Sequence, residues 1–138
     1  MSNHLPRVDQ AAQALNQGAA TAVQLAESAL TRAAQGEGPK VFTRVFKATA
    51  MAEARASDGL RAAGLARSPL EGLPISVKDL FDIEGLPTLA GSKLLANAQP
   101  ATQTAVVVQR LRRAGAVIVG TTNMTEFAYS GLGLNPHY

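Results

Sequence analysis

Residues 116–120, Ala-Val-Ile-Val-Gly, form a continuously apolar run with helical spacing on either side. A short strand without a polar residue must be covered on both faces, which points to a parallel, helix-flanked sheet. Upstream, Thr104 is placed to cap a helix carrying Val107, Val108 and Leu111, with Gly115 as its stop. Downstream, Asn123 and Glu126 have the spacing of a capping box and are expected to start a further helix. A second strand is expected in Leu-Pro-Ile-Ser-Val-Lys-Asp-Leu, 73–80, where Leu73, Ile75 and Val77 share one parity and Ser76 and Lys78 the other.

The first third reads differently. A helix is expected from Asp9, as N-cap, to a stop at Gly18. Thr21 and Gln24 form a capping box ahead of Val23, Ala26, Leu30 and Ala33 at helical spacing, and Gly36 ends that helix. A third helix runs over 48–64 despite Gly59, which costs about 1 kcal/mol relative to alanine inside a helix. The expected architecture is α/β: a helical region over about 1–66, then the start of a mixed, largely parallel sheet covered by helices over about 67–138. All of it belongs to a single domain.

Composition excludes several classes. The chain has 138 residues, 46% hydrophobic and 17% charged, so it is neither disordered nor membrane-like. Aromatics make up 4%, and the apolar surface is largely alanine, so a thin core is expected. A net charge of +3 without interleaved aromatics argues against nucleic acid. Cysteine is absent, and His4 and His137 sit at opposite ends, so no metal site is expected. The amino terminus has no secretory pattern and no segment is long and apolar enough for a bilayer, which gives a soluble, cytoplasmic expectation.

Lys78 is the residue with the most chemical content. A lysine has a pKa near 10.4, so neutrality at pH 7 requires about 4–5 kcal/mol. Burial lowers a lysine's pKa by about 3–5, and an apolar strand is a plausible place for it. Ser76 would project to the same side and could hydrogen-bond. The alternative is an exposed strand lysine paired with Asp79 or Asp82. Thr121, Thr122 and Asn123 follow the carboxyl end of the 116–120 strand, where open α/β sheets bind ligands, and are candidates to line a pocket. Asn123 and Glu126 are also explained as helix caps. Gly91-Ser92 could expose backbone N–H groups to an anion. Arg110, Arg112 and Arg113 read as a solvated helix face with charges suited to the helix dipole.

Taken together, SPLEGLPISVKDLFDIEGLPTLAGSK, RLRRAGAVIVGTTNMTEFAYSGLGLNPHY and the preceding AMAEARASDGLRAAG resemble the amidase signature family. The combination is specific: Pro-Ile-x-Val-Lys-Asp, Thr and Gly-Ser, Arg-x-x-Ala-Gly-Ala-x-x-x-Gly, then Thr-Asn-Met-x-Glu-Phe-Ala. The resemblance implies hydrolysis of carboxamides by a Ser–cis-Ser–Lys triad without metal or cofactor. Lys78 would be its neutral base, and Thr122, Asn123 and Met124 would lie near the substrate. The position matching Thr121 is usually lysine in the family.

The glycine- and serine-rich segment that carries both serines in the family does not occur in these residues. The chain is therefore expected to be the amino-terminal portion of an amidase, inactive by itself, and to associate with itself or with a further segment. Two other readings stay open: the amidase subunit of a tRNA-dependent amidotransferase, and a non-enzymatic interaction module whose early helices dock a partner.

Overall fold

A computed structural model describes residues 6–138. His4 therefore lies outside the described residues. Helix α1, Val8–Asn16, begins after Arg7 rather than Asp9. The Gln10 side chain accepts the Arg7 N–H at 3.0 Å, and Asp9 falls in the first turn, where a negative charge suits the helix dipole. Helix α2, Ala22–Ala34, has the expected box, with Thr21 Oγ1 accepting from the Gln24 N–H and Gln24 returning the bond. A single helical turn, α3 (Gly38–Val41), leads into strand β1, Phe42–Val45, then helix α4, Lys47–Ala62. Strand β2 is Pro74–Lys78, helix α5 is Val106–Arg113, and strand β3 is Val117–Thr122.

The sheet order is β1-β3-β2. β2 pairs parallel with β3, as the flanking helices require, whereas β1 adds an antiparallel edge. β3 is covered on both faces. Val117 and Val119 pack with Leu73 against α1, α2 and α4, while Ile118 packs with Val77 against Val108 of α5. Leu73 lies just before the strand and joins the first cluster, so it does not share a face with Val77.

Three local expectations fail for tertiary reasons. Ala105, not Thr104, precedes α5, because Thr104 is engaged by the 79–105 connection. Its hydroxyl accepts the Glu84 N–H at 3.0 Å and its carbonyl accepts Gln109 Nε2 at 2.6 Å. Val107 of α5 is 44% exposed, so Val108 carries the contact. No helix starts at Asn123; the chain makes one 3-10 turn, Glu126–Ala128. The alanine content, in contrast, has the expected use: Ala22, Ala26, Ala50 and Ala54 are buried where α2 meets α4, allowing close approach of the two helices. Among the described residues no helix is long and apolar enough to cross a membrane.

A buried carboxylate fixes the entry to β2. Glu71 is 0% exposed and receives Ser57 Oγ at 2.5 Å, Arg67 Nε at 2.6 Å, Arg67 Nη2 at 2.7 Å and the Arg67 N–H at 3.1 Å. Gly115 lies so close that a Cβ there would stand 2.5 Å from Glu71 Oε2. The Arg67 hydrogen bond, opposed by burial and helped by Ser57, holds the Glu71 carboxyl at about 2 instead of 4.5. That difference corresponds to roughly 3 kcal/mol of folding stability. The contribution is complete above pH 4.5 and is lost as pH falls toward 2. Urea unfolding across this range should therefore show a falling midpoint in the parent chain. Glu71→Gln should flatten that slope and lower neutral-pH stability by about 3 kcal/mol; a variant with the parent's pH profile would contradict the assignment.

Candidate functional site

Because β2 and β3 are parallel, both leave the sheet at the same end, with Lys78 in register beside Thr122. This is the end at which open α/β sheets accept ligands. Strand alternation turns Val77 inward and leaves both Ser76 and Lys78 exposed. Burial of Lys78 is thus not provided by the described residues: none of their elements covers this part of the sheet. The Lys78 ammonium meets no carboxylate among the described residues, and no bond joins it to Ser76. Asp79 and Asp82 are engaged elsewhere, Asp82 with Thr88 Oγ1.

Asp79 turns in the opposite direction and is 1% exposed. Its Oδ2 accepts Thr43 Oγ1 at 2.6 Å and lies 3.4 Å from Arg44 Nη1; its Oδ1 accepts the Leu89 N–H at 3.1 Å. Neighbouring strand residues normally face opposite ways. A β-bulge in β1, where Phe42 and Arg44 oppose Thr122 and Thr121, lets Thr43 and Arg44 reach the same carboxylate. Thr121 is 2% exposed, and its hydroxyl is 2.8 Å from Thr43 Oγ1. The cation facing Asp79 is Arg44 of β1.

The two segments leaving the sheet fold onto one another. The Phe127 N–H donates to the Ala90 carbonyl at 2.8 Å. Ser92 Oγ donates to Glu126 Oε1 at 2.6 Å, and Asn135 Nδ2 bridges the carbonyls of Gly91 and Met124, each at 2.7 Å. Ala90, Phe127 and Ala128 have φ of 47°, 50° and 57°. Left-handed backbone at non-glycine residues costs of order 1–3 kcal/mol each and is concentrated at functional sites.

The sequence candidates separate here. Thr122 borders the open face beside Lys78 and is half-buried. The Asn123 side chain is a backbone tie rather than a helix cap: Oδ1 accepts the Met124 N–H at 2.8 Å and Nδ2 donates to the Tyr138 carbonyl at 2.8 Å. Met124 is buried at 4% exposure. Glu126 holds Ser92 and likewise caps nothing at Asn123. The Ser92 N–H closes a turn onto the Leu89 carbonyl at 2.8 Å, so Gly91-Ser92 does not present paired N–H groups to an anion. Arg110 and Arg113 are exposed as expected, but Arg112 is half-buried, 3.4 Å from Glu53. Thr43, Arg44, Ala90 and Asn135 carry no local signal of their part in this end of the sheet.

The Amidase family model matches residues 24–138. The chain is 48% identical over 122 residues to the AtzE subunit of 1-carboxybiuret hydrolase from Pseudomonas sp. (strain ADP), a match covering 88% of this chain and 27% of that protein. It is 40% identical over 136 residues to a glutamyl-tRNA(Gln) amidotransferase subunit of Chloroflexus aggregans, covering 98% of this chain and 28% of that protein. An inhibitor-bound complex described as vestigial, bearing on the origins of an s-triazine catabolic enzyme, superposes with a TM-score of 0.89 at 43% identity. It covers 96% of this chain and 29% of that one. Native peptide amidase from Stenotrophomonas maltophilia gives a TM-score of 0.77 at 32% identity, with 88% and 25% covered. The chain thus spans little more than a quarter of the length of the relatives it matches.

The docked loops also give a stability test. Gly91 has φ +69°, and a Cβ would stand 2.6 Å from the Met124 carbonyl oxygen and 2.8 Å from Asn135 Nδ2. Gly91→Ala is expected to lower stability by about 1–3 kcal/mol in denaturant unfolding. A variant as stable as the parent would show that the two loops are not packed in this way.

Proposed function

Because the chain belongs to the amidase signature family, we propose that it supplies the lysine base of a hydrolase of carboxamide bonds acting through a Ser–cis-Ser–Lys triad. The observation that carries this reading is the place of Lys78: at the carboxyl end of a parallel strand, beside Thr122, on a face left open. An amine acts as a base only once it is dehydrated. Polypeptide laid over this face would dehydrate Lys78 and bring serines to it, and the relatives are more than three times as long as the match.

In the proposed step, Lys78 Nζ takes a proton from the bridging serine as that serine takes one from the nucleophile. The nucleophile then adds to the amide carbonyl, and the leaving nitrogen departs after receiving that proton through the same relay. Water, deprotonated along the relay, then cleaves the acyl-enzyme to carboxylate and restores the serine. Thr122 lies at the edge of the substrate space. Asn123 and Met124 act there as supports, consistent with their tied and buried side chains. No residue of this step requires a metal or cofactor.

Association with further polypeptide is part of the proposal. The outer edges of β1 and β2 have no strand beside them among the described residues, and Phe127, Tyr129, Leu132 and Leu134 are 54–96% exposed. The likeness to an amidotransferase subunit over 98% of the chain supports a second reading, in which the ammonia is handed to a partner.

The test joins the whole 138-residue chain, α1 and the α2 cap included, to the segment that follows the matched region in 1-carboxybiuret hydrolase, and measures ammonia release from carboxamides. The fusion is expected to turn over, the 138-residue chain by itself is not, and Lys78→Ala should lower kcat of the fusion by about 10²–10⁴-fold. Unchanged turnover in Lys78→Ala would overturn the reading. Release only in the presence of a partner protein would favour the amidotransferase alternative.

A further inference from the structure

We propose that Asp79 is a positioning residue for Lys78, holding the end of β2 in place from the opposite side of the sheet; this rests on the reading of Lys78 as the base. A carboxylate at 1% exposure has a desolvation cost of several kcal/mol unless it is fully engaged. An apolar side chain would fill the same volume without that cost. The structure shows what the carboxylate does in return.

Asp79 ties three segments to the strand end that bears Lys78. Its N–H donates to the Thr122 carbonyl at 3.0 Å, fixing the end of β2 to β3 one residue beyond the Lys78–Thr122 pair. Its carbonyl accepts the Ala90 N–H at 2.8 Å, and Oδ1 accepts the neighbouring Leu89 N–H at 3.1 Å. The returning loop is thereby held by two bonds to one residue, at the point where Ala90 carries its left-handed backbone. Oδ2 holds the bulged segment of β1 through Thr43 and Arg44.

The hydroxyls have a definite order. A threonine hydroxyl has one proton, and an ionised carboxylate can only accept. Thr43 Oγ1 therefore donates to Asp79 Oδ2 at 2.6 Å, and Thr121 Oγ1 donates to Thr43 Oγ1 at 2.8 Å. The chain Thr121–Thr43–Asp79 runs in one direction and each bond polarises the next. It joins β3, β1 and the end of β2 with no rotatable surface group among its members. A lysine attached to a strand end fixed in this way starts from a single backbone position, which leaves only its own side-chain torsions to be ordered during reaction.

Asp79→Asn and Thr43→Val test this in two settings. In the 138-residue chain, amide exchange at Leu89, Ala90 and Leu80 should speed up by about 10-fold or more in both variants, while Val117 and Val119 keep the parent rates. In the fusion described above, both variants should lower kcat by about 10²-fold with KM within about twofold of the parent, and Thr43→Ser should restore kcat. A purely structural Asp79 would instead reduce the amount of folded enzyme and leave kcat per folded molecule unchanged; that result, or unaltered exchange at 80 and 89–90, overturns the proposal. Should Lys78→Ala retain full activity, the reading of Lys78 as base falls, and the exchange rates alone still decide whether Asp79 ties these segments together.

Discussion

The parallel pairing of β2 with β3 holds the molecule together, because α1, α2, α4 and α5 pack on its faces and the segments after Lys78 and Thr122 leave from one end. Val117 and Val119 give α2 and α4 a surface to cover, and Val77 and Ile118 give α5 another. Parallel strands enter at one end of a sheet and leave at the other, so the pairing also separates two environments. Each has its own buried carboxylate, Glu71 before β2 and Asp79 after it.

These carboxylates solve one problem by different means. Glu71 is neutralised by the fork of Arg67, a local partner four residues away, and its hydrogen bonds stay close to the connection that precedes the strand. Asp79 recruits partners 35 and 36 residues upstream, with Arg44 at 3.4 Å as its only ion pair among the described residues. The first network closes a joint around Gly115. The second gathers β1, β3 and a returning loop around the strand end that bears Lys78. Backbone strain is found only near the second: Ala90, Phe127 and Ala128 are the non-glycine residues with positive φ among those described. Stability and candidate chemistry are thus concentrated at opposite ends of the same five-residue strand.

The uneven surface follows from the same arrangement. Alanines let α2 and α4 approach closely but bury little area each, and the large apolar side chains of the carboxyl-terminal segment stay exposed. In the amidase signature family this region is joined to much more polypeptide, since the match covers only 27–28% of the curated relatives. The open face at Ser76 and Lys78 suits such a covering.

Much of this was legible in the residues themselves. Thr21 with Gln24, the alanine-rich helices and the apolar 117–119 core require only neighbours along the chain, so spacing determined them. The place of Lys78 in a strand was equally plain, but its burial was expected and the described residues leave it exposed, because the covering of a strand's outer face is not written in the strand. What spacing could not supply were partners distant in sequence. Asn123 and Glu126 have the pattern of a cap, yet Asn123 binds backbone at Tyr138 and Glu126 binds Ser92. Thr104 was drawn from its helix by Glu84 and Gln109, and Asp79 was turned from its neighbour Lys78 toward Thr43 and Arg44. Helices and buried strands are set by short-range periodicity. The destination of a polar side chain is set by which donors the fold delivers to it, and only the tertiary structure decided that.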